Sequence, residues 1–449
     1  MIKKNDIVEL TCSRLGSNME GICFYDGFTI FVPGLLPDET GTVHIVKVQN
    51  TIAYGILSSQ LTSSADRIEP ECTSYPKCGG CTCRHMSYKT TLESKRQQVQ
   101  YCFHSIGHID IDIPPIIGME EPFHYRNKSS FPVGGTSENP ILGFFAPRSH
   151  RIIPVSSCIN AMLPTDEICR LFLSWMKQHH LEPYHEDSHT GLIRHLVLRI
   201  NQKHEFMVTI VSKEKDVPYL NDLVEQLKPL GLISLVVNVN HQASNVILGN
   251  KYYTVFGPGT IHDQLLNLDF ELSPASFFQV NVVQAEKIYQ LALDFASLSP
   301  DSNVFDVYCG TGTISLSLAS HCKHVIGIEI VPQAIENARE NAIRNHFQNT
   351  EFIVGKAEDC LPELIAKHER ADVILVDPPR KGLDQVVIQS ICSTKPDRLV
   401  YVSCNPATLA RDAMMIVEKG FYLKKIQCVD MFCWTSDVES VALFERSDS

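Results

Sequence analysis

The sequence predicts an α/β protein in three parts. These are an all-β, OB-like barrel over residues 1–65, a mixed α/β region over 66–270, and a doubly wound, Rossmann-like sheet over 271–449. Three observations carry that expectation. Five short strand-like runs, separated by turn signals such as Tyr25-Asp26-Gly27 and Pro33-Gly34, fill the first part. Strand and helix patterns alternate from Val282 to the end. Within that alternation an apolar strand at Val304–Val307 runs into Gly310 and Gly312, which open a helix.

Composition narrows the class. The chain has 449 residues, 44% of them apolar and 20% charged, enough for two or three domains with a large core. The opening MIKKNDIVELTC has no apolar segment or cleavage site of a secretory signal, and no long apolar run follows. A soluble, cytoplasmic protein without membrane contact is expected, and nothing in the sequence calls for an obligate protein partner. Sixteen cysteines in such a chain point to reduced thiols, metal ligands or catalysis rather than disulfides. A net charge of −12 argues against binding nucleic acid by bulk charge and leaves room for a local basic groove.

In chain order, the first strands are expected at Asp6–Thr11, Gly21–Phe24, Thr29–Val32, Gly41–Lys47 and Ala53–Leu57. A small barrel of this kind often binds oligonucleotides, though it is as readily a plain structural module. Cys72, Cys78 and Cys81 follow, with Gly79-Gly80 allowing a tight wrap. A ligand loop of this form needs a fourth thiolate. Cys83 is too close to Cys81, and Cys102 and Cys158 are distant candidates. Zinc and an iron–sulfur cluster both fit the spacing, and the glycine turn alone could carry incidental cysteines. From Thr91 the pattern is helical. The run FHYRNKSSFPV then sets Arg126 and Lys128 beside Tyr125 and Phe131, a mixture suited to single-stranded RNA or to a solvated strand face. HLVLRIN, EFMVTIVS and LISLVVNVN read as strands, with VPYLNDLVEQLKPL a helix between the last two.

The last third carries the chemistry. NVFDVYC, HVIGIEI, TEFIVG, DVILVD, RLVYVSC and VESVALFER read as its strands. Glycines at 310 and 312 let backbone approach a ligand closely, and Glu329 ends the next strand, where a carboxylate can accept both ribose hydroxyls of an adenosine. A dinucleotide site would want a third glycine where Ser315 stands, so the pattern favours S-adenosylmethionine. Asp377-Pro378-Pro379 ends the fourth strand with a rigid exit, Asp377 facing the cleft. Cys404, in Ser403-Cys404-Asn405-Pro406, is either an inert buried thiol or a nucleophile. The uracil 5-carbon attacks a methyl sulfonium only after a thiolate has added to the neighbouring 6-carbon. A base must then remove the 5-hydrogen, and Glu439 is the candidate. For that chemistry near neutral pH, the surroundings are expected to pull the Cys404 pKa below its free value of about 8.5.

SFFQVN, DVYCGTGT, DPPRKG, SCNPATLARD and VES stand in the order of one family. Over nearly its whole length the chain resembles the uracil-5 RNA methyltransferases, which make 5-methyluridine in transfer and ribosomal RNA. The resemblance implies a TRAM domain at GFTIFVPGLLPDE. It implies a [4Fe-4S] cluster on Cys72, Cys78, Cys81 and Cys158, with Cys404 as nucleophile and Glu439 as proton acceptor. Gln279, Tyr308, Gly310, Gly312, Glu329 and Asp377 would bind S-adenosylmethionine, Phe277 would stack near an extruded target base, and Arg126 and Lys128 would meet RNA. Large-subunit ribosomal RNA is the substrate the resemblance favours, because transfer-RNA members commonly lack barrel and cluster. Transfer RNA and a non-catalytic RNA-binding assembly role are the alternatives. Arg84 stands where many members have Gln, and Cys433, Trp434 and Asp437 where the family usually reads Pro, His and His.

Overall fold

The computed structural model describes residues 2–367 and 370–446. β1 (Ile7–Leu15), β2 (Gly21–Tyr25), β3 (Phe28–Val32), β4 (Thr40–Gln49) and β5 (Ile52–Gln60) close into a barrel in the order β1-β2-β3-β5-β4. Period-two alternation drives its closure: Ile30 and Val32 point inward on β3, as do Val43 and Ile45 on β4. Glu39, wholly buried, accepts from Nε and Nη2 of Arg67 at 2.6 and 2.5 Å, tying the barrel to the segment that leaves it.

Helix α1 (Tyr88–Ser105) starts at Ser87, whose side chain accepts from Thr90 N. Beyond it, β6 (Lys128–Gly135), β7 (Pro140–Phe145), β8 (Ile152–Pro154), α2 (Thr165–Gln178), β9 (Ile193–Ile200), β10 (Phe206–Ser212), α3 (Leu220–Leu227), β11 (Leu232–Val239) and β12 (Lys251–Phe256) form the central unit. Its seven-stranded sheet runs β12-β11-β10-β9-β6-β7-β8, with β10 and β11 parallel across α3. A hairpin, β13 (Ile261–Leu265) and β14 (Leu268–Leu272), then leads through residues 273–281 into α4 (Val282–Ala296).

The C-terminal unit alternates β15 (Asn303–Val307), α5 (Thr313–Ala319), β16 (His324–Glu329), α6 (Pro332–Arg344), β17 (Thr350–Val354), α7 (Ala357–Ala366), β18 (Val373–Val376), α8 (Gln385–Thr394), β19 (Arg398–Ser403) and α9 (Pro406–Glu418), and ends with β20 (Phe421–Val429) and β21 (Glu439–Arg446). The sheet order is β17-β16-β15-β18-β19-β21-β20, with β21 antiparallel to both neighbours. Both faces are covered, which explains the near-continuous apolar runs: Val304 and Val400 enter one core, Phe305 and Leu399 the other. Strand order reverses between β15 and β18, which opens a cleft at their C-terminal ends. Six of the seven strands match the sequence reading. The seventh, β20, escaped it because exposed Lys424 and Lys425 break the apolar pattern, as suits a strand at a sheet edge.

Helix α1 packs on this C-terminal sheet. Its buried residues Thr91, Lys95, Val99 and Cys102 recur at helical spacing, and Val99 and Phe103 join the core containing Ile374 and Leu409. Lys95 has no exposed side chain, and its Nζ lies 2.5 Å from Oδ1 of the equally buried Asp430. Tyr88 completes the carboxylate's partners from its hydroxyl at 2.7 Å, and Lys95 also donates to Phe432 O at 3.1 Å. Among the described residues no helix is long and apolar enough to cross a membrane.

A buried pair this closed is costly to break from one side. Lys95→Met alone is expected to destabilise the fold by about 3–5 kcal/mol, whereas Lys95→Met with Asp430→Leu recovers much of the loss. Denaturant unfolding of both variants measures the difference. Equal destabilisation by the single and double changes would contradict the reading.

Candidate active site

The cleft is built first by the loop leaving β15. Gly310 has φ +56°, and a Cβ added there would meet no atom within 4 Å, so this backbone faces open space a ligand can enter. Gly312, at φ +81°, is a glycine for another reason: a Cβ would come within 3.1 Å of Ala338 Cβ. Glu329, at the end of β16, accepts from Gly310 N at 3.3 Å and from Val331 N at 2.9 Å, fixing its carboxylate beside the opening. Ser315, in place of a third glycine, donates to Asp306 Oδ2 at 2.5 Å. The other Asp306 oxygen is buried without a partner, and burial raises that carboxyl to about 7. Tyr308 stands in the same loop at φ +73°. The Tyr289 hydroxyl lies 2.9 Å from Thr313 Oγ1, and Gln279 and Asp377 are near enough to act on its acidity.

Sheet register brings the two expected catalytic residues near each other. β19 and β21 are antiparallel with Ser403 opposite Ser440, so Cys404 and Glu439 stand one position beyond the last pair of that ladder. Asn405 then caps α9, its side chain accepting from Ala407 N at 3.1 Å, with Pro406 as the first helical residue. Cys404 is therefore held half-buried between a strand end and a helix start. Glu439 is 7% exposed. Burial raises its carboxyl to about 8, helped by Asp377 and Asp437 and opposed by Arg380. Burial likewise raises Asp377 to about 7.

The expected depression of the Cys404 thiol is not found. Burial pushes it up to about 11, and the charges of Glu439 and Asp377 add to the rise against Arg380. A helix N-terminus favours a thiolate, but here desolvation and two carboxyls outweigh it. Arg380, which the sequence reading did not single out although it stands in the Asp377-Pro378-Pro379 motif, is the cation acting on both groups. Its loop is pinned by Asp412, which accepts from Leu383 N at 2.8 Å and from the Tyr401 hydroxyl at 2.7 Å.

The segment bearing Arg126 and Lys128 lies against residues 273–280. Asn127 donates to Val280 O and Gln279 O at 2.9 Å, and Lys128 Nζ to Pro274 O at 3.2 Å. That loop presents Phe277, 66% exposed, beside the glycine turn, where Thr311 Oγ1 donates to its carbonyl. Arg199, opposite Lys128 in the β6–β9 pairing, donates to Ser276 O at 2.5 Å and keeps two guanidinium nitrogens buried without partners. Nothing in the strand pattern HLVLRIN marked it. Burial first, then Arg199 and Arg126, lower Lys128 to about 8.

The four cysteines expected to hold a cluster share one region. Burial raises Cys78 to about 11, with the charges of Cys81, Cys158 and Cys72 adding to it. Gly80 N points to Cys78 Sγ at 3.4 Å and Asn160 Nδ2 to Cys81 Sγ at 3.3 Å, the donors a thiolate-bound centre accepts. Among the described residues, however, no three His, Cys, Asp or Glu side chains are set to hold a metal ion. The donor set suits the expected [4Fe-4S] cluster in kind, and the cluster itself is not shown.

A family model described as tRNA (uracil-5-)-methyltransferase matches residues 87–447. An uncharacterized RNA methyltransferase of Clostridium tetani is 42% identical, the match covering 98% of this chain and 97% of the relative. One of Halalkalibacterium halodurans is also 42% identical, over 99% of this chain and 98% of its own. Among solved structures, the Pyrococcus abyssi tRNA (uracil-54, C5)-methyltransferase in complex with S-adenosyl-L-homocysteine superposes with a TM-score of 0.78. That match has 26% identity and covers 97% of this chain and 99% of the other.

Two outcomes follow from the site's proton affinities. Alkylation of Cys404 by iodoacetamide is expected to keep rising past pH 10, and Glu439→Gln, by removing a negative charge, to bring the rise to lower pH. A profile that levels off below pH 8 would sink the first. Glu439 ionises at about 8 when folded, above its ordinary 4.5, so between those values the unfolded chain holds the fewer protons and stability falls as pH rises. Thermal melts from pH 5 to 9 are expected to show a decline that Glu439→Gln makes shallower.

Proposed function

The chain belongs to the tRNA (uracil-5-)-methyltransferase family, and from that premise we propose that it methylates the 5-carbon of a uridine through a covalent Cys404 adduct. The observation that carries this reading is the register that brings Cys404 near Glu439 at the mouth of the glycine-lined cleft. S-adenosylmethionine, when bound, supplies an electrophilic methyl group, and Gln279, Tyr308, Gly310, Gly312, Glu329 and Asp377 are the residues that would hold it. The target uridine leaves its stack to reach the cleft, with Phe277 offering a ring to stack on and Arg126 and Lys128 meeting the strand.

Cys404 acts in its ionised form, its proton passing to solvent at the half-exposed strand end. The sulfur bonds to the 6-carbon, which makes the 5-carbon of the resulting enolate nucleophilic; S-adenosylmethionine, held by the residues named above, would supply the methyl group to that carbon as its sulfonium–methyl bond breaks and would leave as S-adenosylhomocysteine. Glu439, ionised, then takes the 5-proton. The electrons of that C–H bond restore the ring double bond as the carbon–sulfur bond breaks and the thiolate is released. Burial suits Glu439 to this task, since a carboxylate with a pKa near the working pH is a far stronger base than an exposed one.

Large-subunit ribosomal RNA is the substrate we propose, with the barrel as a TRAM-type RNA-binding module and a [4Fe-4S] cluster on Cys72, Cys78, Cys81 and Cys158 ordering the region between. The mutual electrostatic reach of the four thiols supports the cluster. A second reading, transfer RNA, is favoured by one observation: the Pyrococcus abyssi protein named for a transfer-RNA uridine matches 97% of this chain, barrel included, so the barrel does not separate the two substrates. A purely non-catalytic role is not favoured in a family of RNA methyltransferases.

Cys404→Ala is expected to abolish methyl transfer, and Glu439→Gln to accumulate protein–RNA adduct stable to denaturing electrophoresis. Mass spectrometry of 5-methyluridine in ribosomal and transfer RNA from cells lacking the protein identifies the substrate pool. Methylation that persists in the Glu439→Gln protein without adduct would remove Glu439 from its role.

A further inference from the structure

The segment between β20 and β21, residues 430–438, delivers Glu439 to the sheet, and the cysteine-bearing loop holds its middle. Thr82 N and Cys83 N both donate to Trp434 O, at 3.0 and 3.2 Å. Trp434 takes φ +67°, a left-handed backbone that a bulky side chain adopts only when its surroundings impose it. Trp434 Nε1 donates to Pro122 O at 2.8 Å, Tyr125 donates from its hydroxyl to Cys433 O at 3.0 Å, and the Tyr88 ring lies 5.2 Å from the indole.

Arg84 closes the arrangement. Its guanidinium lies 4.9 Å from the Trp434 ring centre and 5.7 Å from that of Phe123, at 3% exposure. It donates through Nη2 to Asn160 Oδ1, and Asn160 in turn donates to Cys81 Sγ. A cation stacked on a ring away from water attracts it more strongly than at the surface. Arg84 and Trp434 are thus a contacting pair. Asp437 bonds Arg380 at 3.0 Å and joins the same segment to the loop below Cys404.

We propose that Arg84 and Trp434 are positioning residues for Glu439: by stacking, they hold the approach to β21 so that the carboxylate stays near Cys404 while the 5-proton is removed. This rests on the role proposed above for Glu439. The pair touches neither substrate nor cofactor. Its effect falls mainly on the elimination step, because the segment it fixes leads directly into Glu439, whereas Cys404 is also held by the pairing of β19 with β18 and by the α9 cap. A displacement of about 1 Å in a reacting group is enough to slow a step roughly 100-fold.

The test uses the full-length protein with an unmodified RNA transcript and S-adenosylmethionine, following methyl transfer and covalent adduct together. Arg84→Gln and Trp434→Ala are expected to lower kcat roughly 10- to 100-fold with KM nearly unchanged, and to accumulate adduct. Trp434→Phe, which keeps a ring under the guanidinium, is expected to restore release. Arg84→Gln removes the cation while keeping an amide that can reach Asn160, so it tests the clamp even where Trp434→Ala does not fold. Wild-type release in Arg84→Gln, a change in KM alone, or loss of adduct formation together with turnover would each overturn the proposal. If Glu439→Gln traps adduct and Arg84→Gln does not, the clamp fails and the base assignment stands. If Glu439→Gln methylates without adduct, both fall.

Discussion

The pairing of one antiparallel strand with a parallel sheet decides where the chemistry sits. β19 belongs to a row of parallel strands whose C-terminal ends open on the cleft. β21, running the other way, begins where β19 stops. The last rung they share pairs Ser403 with Ser440, and Cys404 and Glu439 stand just beyond it. A shift of one residue would turn Glu439 to the other face of the sheet. That register is held along the whole strand by apolar side chains on both faces, Val400 and Val441 toward one core, Tyr401 and Ala442 toward the other.

The same placement sets the proton affinities. Asp306 lies near the end of β15, Asp377 follows the adjacent β18 and Glu439 begins β21 beyond β19, so Asp306 acts on Asp377 and Asp377 on Glu439, with Arg380 as the cation acting on Glu439 and Cys404. Each raises the cost of ionising the next. The carboxyls are displaced furthest from their ordinary values and settle near neutrality, whereas the thiol rises less, to about 11. The fold's stability suffers for it, since buried groups that must ionise to work favour unfolding as pH rises.

Much of this was legible in the sequence, and the gaps have physical causes. The five barrel strands, the βα alternation and the strand-end motifs were legible because period, glycine placement and proline are local signals. β20 was not, because a charged edge strand lacks the apolar run. Nor were α2 and the β13–β14 hairpin singled out. The spacing of Thr91, Lys95 and Val99 marks a buried face of α1 but not its partner, and Lys95 is buried only because Asp430, 335 positions away, meets it. The thiol's ionisation was misjudged for the same reason: it depends on burial and on Glu439 and Asp377, which only the folded sheet brings together. Arg84 and Trp434 stood out separately in the sequence, and only the fold brings them into contact.

An acidic chain that works on RNA needs cations concentrated where the strand passes. Lys128 and Arg199 face each other on β6 and β9, with Arg126 just before β6, close enough that Arg199 and Arg126 both weaken the hold of Lys128 on its proton. Like charges directly opposite each other destabilise a sheet unless something offsets them. Part of the offset is internal, since Pro274 O and Ser276 O accept from Lys128 and Arg199. Those carbonyls belong to the loop that exposes Phe277, so the cations that would attract a phosphate backbone also fix the ring on which a base would stack. At physiological salt, charges more than about 8 Å away are largely screened. A phosphate at this cleft therefore responds mainly to the three cations and little to the net charge of −12 spread over the surface.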